Sequence, residues 1–420
     1  QADLAAIFAE RSLGLTRPGG ALALLLPSKL WRSLAGGGIR RVIADDAVVV
    51  AVEDWAESRS AFDAVVYPSL LVARRRSRGA HRSAEGGRRE TVPEPPLRIA
   101  VHRREELLSW TVERSGLALE SSPGAPWLLL PPDARTGFDR LVRTGPPLSQ
   151  SLFGRPLLGV KSGCNDAFVL TPRPGWREAP PGEWPVRDRA PDASLDGERG
   201  GPREGCVETS LLRPLLRGEH VRSWRVEPDD GALLWTHGAD GAPLPRLPRG
   251  AAGWLAPWRR RLEIRSDVHA SPRWWSLFRT ESARCDVARV VWSDIGKSPR
   301  ALVLPVGDPT VPLNSCYVAR APSFDDALAF AALLNSPVAA AWLNAIAEPA
   351  RGSYHRYLGW TLARLPLPAD WPRAVSILAP LARVALEGEP PSPAELADAT
   401  VRAYRVRASD LSALMTWCLR

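Results

Sequence analysis

The segment GVKSGCNDAF, residues 159–168, packs a lysine, a serine, a cysteine, an asparagine and an aspartate between two apolar runs. Such a set serves a metal, a nucleophile, a phosphate or a turn. Spacing argues against a metal site or a disulfide framework. The five cysteines (Cys164, Cys206, Cys285, Cys316 and Cys418) form no C-x-x-C pair, the six histidines never stand at i, i+4, and H-E-x-x-H does not occur. Cys164 has no base or second cysteine beside it, so a catalytic thiol is not expected. Gly163, Asn165 and Asp166 are turn formers and predict a hairpin. Lys161 and Ser162 add an ammonium and a hydroxyl on its approach. With Asn165 they suit contact with a phosphate or a base edge.

A second group is richer in charge. Arg213, Arg217, His220, Arg222 and Arg225 stud LLRPLLRGEHVRSWR (211–225) beside Trp224, as a groove-facing surface would. Lys29 follows the apolar run ALALLLP (21–27), beyond the carboxyl end of a strand, where ligands of open α/β sheets lie. It is placed to reach a DNA phosphate. The net charge of +9 points to a polyanion partner. The inference is tempered by composition: only Lys29, Lys161 and Lys297 are lysines, so the basic residues are nearly all arginine, as in a GC-rich coding bias. Arginine nevertheless suits phosphate and guanine through its planar fork of donors.

These residues require elements to hold them. Residues 1–76 read as α/β. DLAAIFAERSLGLT (3–16) has apolar residues Leu4, Ile7, Phe8 and Leu13 near helical spacing, and RPGG stops it. ALALLLP reads as a buried strand of parallel type. A helix follows within SKLWRSLAGGGIRRVIA (28–44), then strands in AVVVAVEDW (47–55) and AVVYPSLLVARR (64–75). Residues 77–96 are polar and Gly/Pro-rich, a linker or loop. Beyond them we expect a strand at LRIAVHR (97–103), a helix at REELLSWTVE (104–113) and a short helix at FDRLVRTG (138–145). Short strands follow Gly154, interrupted by a Pro/Gly/charge-rich insertion at 173–205. Long helices return at 324–347 and from about 372. Trp274, Trp275 and Trp292 are expected to pack rather than bind. No apolar run reaches the ~18 residues of a membrane span, and the first residues lack the pattern of a signal peptide, so a cytoplasmic location is the expectation.

Five segments, in order, resemble the TaqI/Eco57I-type adenine-specific (N6) DNA methyltransferases. AERSLGLTRPGGALALLLPSKLW (9–31) is similar to the family's helix, KPGG turn, strand and P-x-x-[FW]. FDAVVYPSLLVARR (62–75) is similar to its later strand. LGVKSGCNDAFVL (158–170) resembles its GI-x-TGCN-x-AF turn, and LLRPLLRGEHVRSW (211–224) its LxPhLxGxxIxxW strand. FAALLNSPVAAAWL (330–343) and GSYHRYLGWTLARLPLP (352–368) resemble its LLNS helix and terminal LPhP segment.

The resemblance implies an α+β multi-domain chain. Residues 1–76 would be the C-terminal half of a Rossmann-like class I methyltransferase fold, and 77–150 a linker with a mixed α/β segment. Residues 151–370 would be a target-recognition domain, and 371–420 a helical tail. It implies that Phe62, or in competition Tyr67, stacks on a flipped adenine. It implies DNA contact at Ser353, His355 and Arg356, in the family's last loop, and double-stranded DNA as partner within restriction–modification or phage defence. S-adenosylmethionine is the implied cofactor.

The family's chemistry resides in a glycine-bearing cofactor loop and in Asn-Pro-Pro-[Tyr/Phe/Trp], whose acceptors polarise the adenine amino group. Asn165, Asn314, Asn335 and Asn344 are the asparagines here, and none precedes Pro-Pro. In the family both segments lie upstream of the point where Gln1 stands. The expectation is therefore a chain with no catalytic residue and no cofactor site of its own, which needs an upstream methyltransferase half, fused or separate. Two other readings stay open. One is a non-catalytic DNA-specificity subunit. The other is an unrelated enzyme or interaction protein whose basicity is codon bias.

Overall fold

In a computed structural model the described residues are 3–58, 67–77, 94–104, 106–188, 203–267, 273–350 and 353–419. The chain is α+β and forms two compact units. Unit 1 comprises residues 1–143, 340–356 and 407–420; unit 2 comprises 144–339 and 357–406.

Unit 1 is built on a five-stranded sheet. Helix α1 (Leu4–Leu15) starts at Asp3, whose carboxylate accepts the Ala5 N–H at 3.0 Å. It precedes β1 (Ala21–Pro27), α2 (Gly37–Asp46), β2 (Ala47–Ser58), β3 (Pro68–Arg75), β4 (Leu97–Arg104), β5 (Glu106–Val112) and α3 (Pro132–Val142). The order is β1-β3-β2-β4-β5. β3 runs antiparallel to both β1 and β2, so those two strands are parallel to each other with a reversed strand between them. β2 and β4 pair in parallel. The core gathers Leu13, Leu26, Trp31, Ile43, Val52, Leu71 and Ile99.

Three elements differ from the sequence expectation. REELLSWTVE is not a helix: residues 106–112 form β5, antiparallel to β4 from Leu97↔Val112 to Arg103↔Glu106. Half-buried Leu108, Trp110 and Val112 alternate with exposed Leu107, Ser109 and Thr111, a period of two that the adjacent leucines disguised. ALALLLP is not a buried parallel-type strand. It lies at the sheet edge beside an antiparallel neighbour, with Leu26 buried and Leu25 52% exposed. The α1 stripe also divides: Leu13 is buried, while Leu4, Ile7 and Phe8 face outward.

Unit 2 contains two sheets. Its strands are β6 (Val169–Pro172), β7 (Glu183–Asp188), β8 (Glu204–Glu208), β9 (Leu212–Leu216), β10 (Ala232–Leu234), β11 (Ala288–Ser293), β12 (Ala301–Leu304), β13 (Val311–Pro312) and β14 (Cys316–Ala321). The first sheet has the order β13-β9-β10-β6-β7-β8. The second pairs β12, β11, β14 and the two-residue strand Leu157–Leu158. Helix α4 (Arg249–Leu255) covers the first sheet through Trp254, which approaches so closely that a Cβ at Gly205 would lie 3.1 Å from its ring. Helices α5 (Phe324–Asn335), α6 (Trp371–Leu386) and α7 (Pro393–Tyr404) complete the unit. The expected long helix over 324–347 ends at Asn335, because Ser336 turns extended and Pro337 begins a new helix. Trp292 is fully buried and Trp274 and Trp275 pack on the core, as expected. Among the described residues no single helix is long and apolar enough to cross a membrane.

Candidate nucleic-acid interface

The outer side of the first sheet of unit 2 carries an open cleft of about 1200 Å³. Strand alternation builds it. Thr171 pairs with Arg187, Arg187 with Glu204, and Pro185 with Cys206, so these side chains share one face. Val186 and Val207 take the other face and are buried in the core. Arg173 continues the outer row, and the loop after β6 adds Trp176 and Arg177. The Arg177 guanidinium sits 5.3 Å from the Trp176 ring. His220, Asp229 and Asp230 close the far wall. Arg173, Arg177 and Arg187 are exposed, and among the described residues none is ion-paired. Asp229, with its side chain 3% exposed, lies 2.8 Å from Nδ1 of His220.

The charge balance determines what such a cleft suits. Arg173, Arg177 and Arg187 are offset by Glu178, Glu204, Asp229 and Asp230. The described lining therefore makes no net positive basin for phosphates. What the cleft offers is a mixed set of donors and acceptors beside an indole, the kind of set that matches base edges.

The residues singled out by sequence are scattered. His220 alone among them lines the cleft. Arg217 contacts Glu219 at 3.5 Å, and Arg222 pairs with Glu227. Between them the chain folds back through Ser223 and Trp224, with the Arg222 N–H donating to the Arg225 carbonyl at 3.1 Å and Trp224 at φ +73°. Arg213 is not groove-facing. Its guanidinium lies 4.2 Å from the centre of the Trp235 ring, and burial lowers its pKa.

The GVKSGCNDAF segment is not a hairpin. Val160 and Lys161 bridge to Leu313 and Phe278, and a single helical turn, Asn165–Phe168, leads into β6. The Ser162 hydroxyl is turned inward, donating to Asn165 Oδ1 at 2.6 Å and accepting the Cys164 N–H at 3.1 Å. Lys161 pairs with Asp267, and Asn165 is exposed. The lock on this turn is Arg265, unnoticed in the sequence. It donates to the carbonyls of Leu262 (3.0 Å), Ser162 and Trp274 (2.6 Å), and burial lowers its pKa to about 10. Gly163, at φ +67°, leaves room for it, since a Cβ there would stand 2.8 Å from Arg265 Cδ.

In unit 1, Lys29 pairs with Asp3 at 2.6 Å. The Tyr67 carbonyl accepts the Ser28 N–H at 2.8 Å, and its ring is half-buried. Phe62 lies outside the described residues. Ser353, at φ +62°, immediately precedes the short strand Tyr354–Arg356, which pairs antiparallel with Glu348–Ala350. Ser353 and Arg356 are exposed and His355 is half-buried.

The sequence does not single out the cleft arginines, because RPGWREAPPGEWPVRD (173–188) reads as a Pro/Gly-rich insertion. Its available signal was the polar–apolar alternation across 183–188.

No family model and no curated protein matches the chain. Among solved structures it is similar to the type IIL restriction-modification enzyme MmeI in complex with DNA. The likeness has a TM-score of 0.50 and 10% identity, over 99% of this chain and 48% of that one. The type IIG restriction endonuclease BpuSI matches at TM-score 0.38 and 11% identity, with the same coverage. The chain thus spans about half the length of the solved structures it matches. At this identity the likeness to MmeI is one of fold.

Proposed function

We propose that this chain recognises a specific duplex DNA sequence for a restriction–modification-type adenine N6-methyltransferase of the TaqI/Eco57I kind. Unit 2 reads base edges through its cleft. The observation that carries the reading is the outer face of β6–β7–β8: Arg173, Arg177, Arg187 and His220 interleaved with carboxylates around Trp176. Arginine pairs bidentately with guanine O6/N7, and carboxylates accept from the cytosine amino group. The fold shared with MmeI, a restriction-modification enzyme described in complex with DNA, supports the same direction.

Methyl transfer belongs to a partner half that bears Asn-Pro-Pro-[Tyr/Phe/Trp], a sequence residues 1–420 do not contain. S-adenosylmethionine would supply the methyl group there. Asp54, buried, accepts the Ala56 N–H at 3.1 Å and lies 4.0 Å from the Arg32 guanidinium, whose side chain is 11% exposed. Among the described residues these two groups are closed on each other, so no step is assigned to them.

Single-molecule sequencing of host DNA with and without the locus tests the function. N6-methyladenine at one sequence, lost with the locus, is expected. Identical methylation in both would contradict it.

A further inference from the structure

A second concave surface lies in unit 1. Arg140, Arg143 and Arg407 line a pocket of about 410 Å³ together with Thr136 and Asp410. Three guanidinium groups line it with one carboxylate, and among the described residues that carboxylate engages only Arg140, at 3.8 Å. Arg143 and Arg407 are exposed, and among the described residues neither has an acidic partner. Elsewhere arginines are commonly matched one to one: Arg135 with Asp139, Arg259 with Glu263, Arg402 with Asp398, Arg383 with Asp325. A coding bias toward arginine accounts for matched residues but not for their convergence here.

The scaffold is rigid. α3 and the C-terminal helix (Ala408–Cys418) approach closely at Gly137, where a Cβ would stand 3.0 Å from the Asp410 carbonyl. Phe138, Leu141, Leu411 and Leu414 are buried, and Phe138 stacks on Trp342 at 4.8 Å. Helix stability explains Arg140 and Arg143, since cations favour the C-terminal end of α3. It does not explain Arg407. That residue is the N-cap of the C-terminal helix, a position that favours Ser, Thr, Asp or Asn and disfavours a cation.

We infer that Arg140, Arg143 and Arg407 form a phosphodiester-binding patch through which unit 1 holds the DNA backbone without regard to sequence. The inference rests on the DNA reading above. Its chemistry is the guanidinium fork against phosphate oxygens. A free phosphate ion shares that chemistry, so the test separates the two.

Binding of the full chain to a random-sequence duplex is measured by anisotropy across a potassium chloride series. Wild type is compared with R143A/R407A, R140A/R143A/R407A, the triple lysine variant and D410N, with thermal melting of each. The double variant removes only exposed side chains and keeps the fold. Each phosphate that is no longer neutralised should flatten the slope of log K against log salt by about 0.9. The triple alanine variant should therefore be flatter by roughly 2–3 and bind several-fold more weakly at low salt. The lysine variant should keep the slope, and D410N should bind more tightly. A folded alanine variant with wild-type slope and affinity overturns the patch alone. So does complete displacement by millimolar inorganic phosphate at fixed ionic strength. A wild-type chain that binds no duplex overturns the DNA reading itself, and the patch with it.

Discussion

The cleft of unit 2 and the arginine patch of unit 1 differ in one respect that separates two jobs. The cleft sets three arginines and a histidine among four carboxylates, beside an indole. The patch sets three arginines against one carboxylate. A phosphate chain is uniformly anionic, and a surface that grips it needs surplus positive charge. A base edge alternates donors and acceptors, and a surface that reads it needs both. Contacts to phosphate position a protein on the duplex, whereas contacts to bases specify where it stops. Arginine abundance alone does not tell the two apart; the local company of carboxylates does.

The comparison breaks most severely if unit 2 loses its internal support. Arg265→Ala would leave two buried carbonyl acceptors and one part-buried one without their donor, a cost of about 3–5 kcal/mol. Thermal melting should show unit 2 destabilised by that order. Sequence preference should vanish while salt-dependent duplex binding through unit 1 persists. A variant with unchanged melting would show that Arg265 is not the lock.

Acid offers a graded version of the same separation. His237 is buried, and burial first, then the charge of Arg213, depresses its pKa from 6.5 to about 4. The folded form therefore binds its proton less readily than the unfolded chain. The associated stability is fully present above pH 6.5 and is lost as pH falls from 6.5 toward 4, to roughly 3 kcal/mol. Hydrogen exchange at pH 7 and pH 5 should show the peptides around β9 and β10 opening more readily at the lower pH. His237→Asn should remove most of that difference.

Direct readout comes next in size. Arg173→Ala and Arg187→Ala should each cost about 1–3 kcal/mol for the cognate site, with little change for random duplex. A uniform loss across all sequences would move those arginines to the phosphate class. The smallest effect is expected at the arginine-rich turn singled out by sequence. Arg222→Ala removes an exposed ion pair with Glu227 and hydrogen bonds to the Glu219 and Val221 carbonyls, which can turn to water, and should shift stability by about 1 kcal/mol or less. A large loss of DNA affinity in that variant would return the turn to the interface.

How much of this was legible follows from which interactions are local. The strands over 47–58, 68–75 and 97–104 announce themselves by apolar, β-branched runs, whereas the break at Pro337 is hidden inside an unbroken apolar run over 324–347. β5 was misread because its adjacent leucines mimic a helical face until Trp110 and Val112 are seen to share one side. The cleft depends on Arg187 facing Thr171 across a strand pair, which no local pattern reveals. The patch unites residues 140, 143 and 407, distant in sequence. Lys161 and Ser162 looked like open ligands because Asp267 and Asn165, their partners, become partners only in the folded turn.

The most direct measurement is selection from a random duplex pool at fixed salt, with the bound fraction sequenced, for wild type and for R173A/R187A. The cleft reading predicts that wild type enriches one short sequence, and that the variant binds the pool with the same salt slope and enriches none. Enrichment of the same sequence by the variant, or of no sequence by wild type, would contradict it.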